Sequence, residues 1–270
     1  MCLSPINLQK TTFKQKLNDT YFLQQVPCGQ CLECRKLRVN SWFVRLLNEK
    51  NVSTSAHFVT LTFEDNNLPY SDNGLCTLDY GIYQRFVKRL RKVDKSEKPI
   101  KYFAVGEYGE KTYRPHFHAL MFNVNDVSNI EKTWQNGHIH VGEVKEGSIY
   151  YTLKYALKST FRNRNKDPDD DRKPEKALMS KGLGSSFLTP QMIKYFKDDP
   201  TRPVTMLGNQ KIGLPRYYRD KIFDESEKRV RNKGLTEFVD LKYEQISDPL
   251  FPQRVKKMYD KKQKQLQKTD

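Results

Sequence analysis

Between residues 56 and 161 the sequence switches repeatedly between two hydrophobic periods, and that alternation limits what the chain can fold into. AHFVTLTFE (56–64) alternates in β-branched and aromatic residues and is closed by the turn-forming NNLPYSDNG, so a half-buried strand is expected. TLDYGIYQRFVKRLRK (77–92) runs at helical spacing, with a Thr or Asp to cap its start and cations in its last turn. IKYFAVGEYG (100–109) and HFHALMFNV (116–124) return to the strand period on either side of EKTYRP and read as a hairpin. A short helix over DVSNIEKTW, a strand over GHIHVGEV (137–144) and a helix over SIYYTLKYALKSTF (148–161) complete the series. This order predicts an α+β fold: an antiparallel sheet of the ferredoxin or RNA-recognition-like split β-α-β type, backed by helices.

The flanks carry other signals. CGQCLEC (28–34) precedes RKLRVNSWFVRLLNEK, in which Val39, Trp42, Phe43, Leu46 and Leu47 form one helical stripe and the arginines another. Residues 1–52 are therefore expected to form a cysteine cluster and a basic amphipathic helix packed on a core at 53–165. NRNKDPDDDRKPEK (163–176) is charged, carries two prolines and has almost no apolar residue. It reads as a solvated linker, with a domain boundary there and a basic C-terminal region over 166–270. The last stretch, QRVKKMYDKKQKQLQKTD, is expected to be a frayed helix or disordered.

Charge narrows the class of partner. The 270 residues include 48 Lys and Arg against 32 Asp and Glu, a net charge of +16. Such an excess favours a polyanion, because each phosphate neutralised releases counterions. No apolar run approaches the ~20 residues a membrane span needs, and MCLSPINLQK at the N-terminus lacks a signal-peptide apolar stretch. Five cysteines, three of them tightly spaced, point to a reducing compartment rather than a secreted disulfide framework. A soluble, intracellular protein facing nucleic acid, with no membrane partner, is the expectation.

RPHFHALMF carries the most chemistry. On a strand, His116 and His118 leave the same face while Phe117 turns to the other, and two neutral imidazoles are half of a divalent metal site. Glu107 lies on the preceding strand of the hairpin, where register can bring its carboxylate beside both rings. Two nitrogens and one oxygen suit Mn²⁺ better than Mg²⁺, although a weak site sharing its ion with phosphate oxygens serves either. GHIHVGEV offers a competing pair, His138 and His140, but Glu143 is three residues from His140 and so faces the opposite way. A metal at the first pair changes the meaning of YYTLKYALK (150–158). Tyr151 and Tyr155 share one helix face, and an activated tyrosine attacks phosphorus to leave a phosphotyrosine and a free 3′-OH. Lys154 and Lys158 on the same helix suit DNA phosphates.

Cys28, Cys31 and Cys34 have the C-x₂-C-x₂-C spacing of a zinc or iron–sulfur site, and Cys2 is the candidate fourth ligand of a structural Zn²⁺. Cys76, in a turn context, reads as a plain thiol.

FVTLTF, then HFH, then YTLKY together resemble the three ordered motifs of HUH endonucleases. More narrowly, VPCGQCLECRKLR, GEYGEKTYRPHFHALMF, YYTLKYALK and IGLPRYY resemble the replication initiators of Microviridae, in particular the gokushovirus branch. The likeness covers roughly residues 1–220, and tyrosine after histidine is the Rep order. It implies a rolling-circle initiator that nicks and rejoins single-stranded DNA at a phage origin through a 5′-phosphotyrosine. By that resemblance His116 and His118 hold Mg²⁺ or Mn²⁺, with Glu107 as the third ligand. Tyr151 and Tyr155 are then the nucleophiles, and Lys154 and Lys158 the motif lysines. The partners implied are the origin strand and the host's replication helicase and polymerase, in the cytoplasm of a bacterial cell. The rival reading is a non-catalytic single-strand binder whose sheet stacks bases on Phe58 and Phe103.

Overall fold

A computed structural model describes residues 2–8, 24–162, 169–199, 202, 204–207 and 210–228. The C-terminal tail and the first part of the charged segment at 163–176 lie outside them. The chain forms two compact units, one of residues 38–189 and one joining 1–37 to 190–270.

In chain order the elements are β1 (Ile6–Leu8), β2 (Gln24–Val26), α1 (Leu32–Val52), β3 (Ala56–Thr62), α2 (Tyr80–Val93), β4 (Lys101–Tyr108), β5 (Pro115–Phe122) and α3 (Ser128–Thr133). They continue with β6 (Ile139–Glu143), α4 (Glu146–Arg162), β7 (Ala177–Met179), α5 (Pro190–Asp198), β8 (Val204–Leu207), β9 (Gln210–Gly213) and α6 (Arg216–Ile222). From β3 to α4 the types follow the order read from the periods, within a mixed α+β architecture.

One five-stranded antiparallel sheet, ordered β6-β3-β5-β4-β7, organises the 38–189 unit. Strand alternation sorts its side chains onto two faces. Val59 and Leu61 of β3, Ala104 of β4 and Phe117, Ala119 and Met121 of β5 are buried against Tyr83, Phe86, Val87 and Leu90 of α2. Phe117 lies at the middle of an aromatic group, with the rings of Phe63, Tyr80, Tyr83 and Trp134 all centred within 6.5 Å of its own. The helix over it starts where Asp79 accepts a hydrogen bond from the Gly81 amide, and its last turn carries Arg91 and Lys92, as the sequence pattern requires.

The opposite face carries Phe103, Val105 and Glu107 of β4 and His116, His118, Leu120 and Phe122 of β5. Trp42 of α1 tilts against Phe103 at 4.9 Å, and α4 crosses β4 and β5. Glu49 of α1 is 2 % exposed; its carboxylate pairs with Lys101 and accepts from the Gly184 amide. Gly137, just before β6, has φ +152°, and a Cβ there would stand 2.5 Å from the Glu64 amide nitrogen. Only glycine lets the chain pass so close to the end of β3.

β7 adds an edge strand that the sequence did not announce, because three residues are too few to display a period. Residues 169–176, read as solvated, are tied to the core instead. Asn73 donates to Asp171 and to the Asp169 carbonyl, the Lys173 amide donates to Thr77, and Tyr80 donates to the Pro174 carbonyl. In the other unit β1 pairs antiparallel with β2, β8 with β9, and α5 packs on α6. No helix among the described residues is long and apolar enough to cross a membrane.

Replacing Phe117 with Ala is expected to cost about 3–5 kcal/mol, the usual penalty for an emptied aromatic core position. Urea denaturation of the purified protein measures it, and the midpoint should fall without a change in slope.

Candidate active site

The β4–β5 hairpin pairs Glu107 with His116 and Val105 with His118, while β3 sets Thr60 beside His118 and Thr62 beside His116. Glu107, His116 and His118 therefore stand on one face of the sheet, and their ligand atoms all lie within 4.8 Å of one another. Glu107 Oε2 is 3.5 Å from His116 Nε2 and 3.4 Å from His118 Nε2. That oxygen is buried and has no hydrogen-bond partner of good geometry among the described residues. Burial works against the charge of Glu107, but the two imidazoles outweigh that and hold its pKa below the usual carboxylate value.

The imidazoles are oriented from behind. His116 Nδ1 faces the Arg114 carbonyl at 3.3 Å. A carbonyl only accepts, so that nitrogen carries the proton and Nε2 presents a lone pair toward Glu107. His118 Nδ1 lies 3.1 Å from Thr60 Oγ1, a hydroxyl able to accept and so to leave Nε2 free in the same way. Two Nε2 lone pairs and an orphaned carboxylate oxygen, each fixed by the sheet, fit a divalent cation. Nothing in the donor set selects between Mg²⁺ and Mn²⁺.

α4 brings phenols to this face. The Tyr155 ring stacks on His118 with centroids 5.1 Å apart, and Tyr151 meets His118 edge-on at 5.4 Å. The two tyrosine rings are 4.7 Å apart. Phe58 completes the group, stacked on His118 at 5.8 Å and edge-on to Tyr151 at 5.9 Å. Tyr150 points elsewhere, stacked on Phe43 of α1 at 4.1 Å. The helix is set at this angle by its buried stripe, Ile149, Thr152 and Leu153. The Tyr155 hydroxyl has a raised pKa, first from burial and then from its hydrogen bond with Tyr151 and the charge of Glu107. Tyr151 remains 44 % exposed.

The other sequence candidates separate. Lys154 is exposed on α4; Lys158 lies on the same helix, but its side chain is outside the described residues. His138 and His140 are both exposed. β6 pairs His140 with Thr60 and Glu143 with His57, so this glutamate faces away from His140. Phe103, one of the two rings of the stacking alternative, is 1 % exposed beneath Trp42 and presents no face to a base. Cys2, Cys28, Cys31 and Cys34 come together as a separate group. Thr60 and Phe58 are the site neighbours to which residue type alone gave no catalytic meaning; the register of FVTLTF against HFH is the signal that finds them.

The family of the phage replication-associated protein ORF2 matches residues 56–160, a stretch that contains every residue of this site. The replication-associated protein ORF2 of Spiroplasma virus 4 is 27% identical, over 94% of this chain and 88% of its own length. This chain is a relative of phage replication-associated proteins. Protein VP4 of Bdellovibrio phage phiMH2K, also a replication-associated protein, is 29% identical over 72% of this chain and 66% of its own length. Protein ORF4 of Chlamydia phage 1, of the same description, is 27% identical, and this chain spans about half of it, 53%. The resemblance to small-phage replication proteins read from the motifs is borne out. No solved structure matches the chain.

Mn²⁺ titration followed by the electron paramagnetic resonance signal of the free ion tests the donor set. His116→Ala combined with His118→Ala should abolish binding, and His138→Ala with His140→Ala should leave it unchanged. Thr60→Val should weaken it by roughly 10-fold, the usual effect of losing a group that orients a ligand.

Proposed function

We propose that this phage replication relative is an HUH-type nickase that starts rolling-circle replication by cutting and rejoining one strand of a single-stranded DNA origin. The observation that carries the reading is the pair of Tyr151 and Tyr155 rings against His118, with the buried carboxylate of Glu107 3.4 Å behind that histidine. The nickase core is assigned to residues 53–165, with 1–52 and the basic 166–270 as its flanking regions. Its sheet and helices are read as the Rep version of the split β-α-β fold.

Glu107, His116 and His118 would hold Mg²⁺ or Mn²⁺, which supplies Lewis-acid polarisation of the scissile phosphate. Arg114 and Thr60 keep both imidazoles in the orientation that leaves Nε2 unprotonated. Exposed Lys154, and Lys158 one turn on, draw the DNA backbone to α4. A tyrosine oxygen then forms a bond to phosphorus as the bond from phosphorus to the 3′ oxygen breaks. The phenol loses its proton, the departing oxygen gains one, and the strand is left with a free 3′-OH and a 5′ end on the protein. The reverse exchange, with a 3′-OH as attacking group, closes a circle. The raised pKa of Tyr155 keeps its phenol protonated at neutral pH, so attack by Tyr155 should accelerate as pH rises.

Two nucleophiles four residues apart serve successive transfers. Positions i and i+4 differ by about 40° in direction and roughly 6 Å in height, so either hydroxyl reaches the same phosphate after a small shift of the strand. One tyrosine holds the first 5′ end while the other cuts the regenerated origin. The free 3′-OH is the substrate for the host polymerase, with a host helicase opening the duplex ahead of it, in the cytoplasm of the infected bacterium.

Incubation with end-labelled single-stranded origin DNA and Mn²⁺, followed by a denaturing gel, tests the proposal. A protein-linked band is expected from the wild type and from Tyr151→Phe or Tyr155→Phe alone, and none from the double variant. Each single variant should lose repeated turnover to closed circles. DNA that is bound but never linked under any condition would overturn the reading in favour of a non-catalytic binder.

A further inference from the structure

The N-terminal cysteines form a group that the nicking chemistry does not use. β1 and β2 pair with Ile6 opposite Val26, which returns the chain so that Cys2 meets Cys28; the Cys28 amide donates to Cys2 Sγ at 3.2 Å. Gly29, at φ +74°, then turns the backbone tightly. In that turn the amides of Gln30 and Cys31 both aim at Cys28 Sγ, at 3.4 and 3.3 Å, and the Leu3 amide aims at Cys31 Sγ at 3.5 Å. α1 starts one residue after Cys31, and its first turn supplies the buried Cys34. All four Sγ atoms lie within 4.8 Å of one another, with Cys2 and Cys31 3.8 Å apart.

We infer that Cys2, Cys28, Cys31 and Cys34 bind a single Zn²⁺ ion as four thiolates, a closed structural site that ties the N-terminal β1–β2 hairpin to the first turn of α1. Three features point to this. The spacing fits one ion: tetrahedral zinc with Zn–S bonds of about 2.3 Å sets its sulfurs about 3.8 Å apart. An iron–sulfur cluster is excluded by the same spacing, because its cysteines bind different irons around a core of several atoms and must stand farther apart. The donors are backbone amides pointing at sulfur, and an N–H in that position stabilises a thiolate. Four sulfurs with no carboxylate among them favour zinc over the hard Mg²⁺ or Mn²⁺ proposed at the histidines. As the ion binds, the protons held by the four thiols are released, so assembly is favoured by higher pH.

X-ray absorption at the zinc edge tests the inference on full-length protein carrying His116→Ala and His118→Ala, which removes the histidine site from the count. The expected result is one zinc per chain with four sulfur neighbours at about 2.3 Å. In the wild type, only Cys76 should react with a thiol reagent until a strong chelator is added, after which all five cysteines should react. Cys28→Ser with Cys31→Ser should lose the zinc. The thiol titration stands whether or not that variant folds. A folded protein without zinc whose five thiols react at once would overturn the inference. So would iron in place of zinc, disulfides among these cysteines, or a zinc shell with nitrogen or oxygen ligands. None of these outcomes bears on the nickase reading, which stands or falls on DNA linkage.

Discussion

The register of β4 against β5 is the constraint on which the site depends. Because Glu107 faces His116 across the ladder, the carboxylate falls between two imidazoles that alternate with Phe117 along β5. A slip of one residue would exchange every side chain between the two faces. Phe117 would then leave the ring cluster under α2, and both histidines would enter it. The core therefore enforces the site: the burial that holds Phe117 in place on one side fixes His116 and His118 on the other. A buried carboxylate oxygen with no hydrogen-bond partner is costly, and the sheet bears that cost where a cation would relieve it.

The second constraint is the rotation of α4 about its own axis. Ile149, Thr152 and Leu153 are buried, and that stripe decides where the three tyrosines point. Tyr151 and Tyr155 turn toward His118, and Tyr150 toward Phe43 of α1. Adjacent residues on a helix diverge by about 100°, whereas residues four apart diverge by about 40°. The division of labour among chemically identical side chains thus follows from helix geometry and from which neighbours are apolar.

Much of this was legible in the sequence because periodicity reports burial directly. Alternation in AHFVTLTFE and HFHALMFNV located β3 and β5, and the two-residue spacing put both histidines on one face before any coordinates were needed. The pairing of Glu107 with them was also foreseeable, since a hairpin fixes register to within a residue or two. Other parts were not legible. β7 is three residues long and carries no period. Residues 169–176 are charged, and their hydrogen bonds to Asn73, Thr77 and Tyr80 depend on partners about 95 residues away. Phe103 reads from sequence as an exposed stacking ring because alternation gives its face but not what covers that face; Trp42 covers it. Thr60 is an ordinary strand residue until β5 sets His118 beside it.

The central claim is that α4 carries the nucleophiles. Mass spectrometry of the protein–DNA adduct, after nuclease trimming to a short nucleotide remnant and proteolysis, tests it most directly. The account predicts the remnant on Tyr151 and on Tyr155 over multiple turnovers, joined through a 5′ phosphate. A remnant on Tyr150, whose ring is stacked on Phe43, or on a residue outside α4 would contradict it.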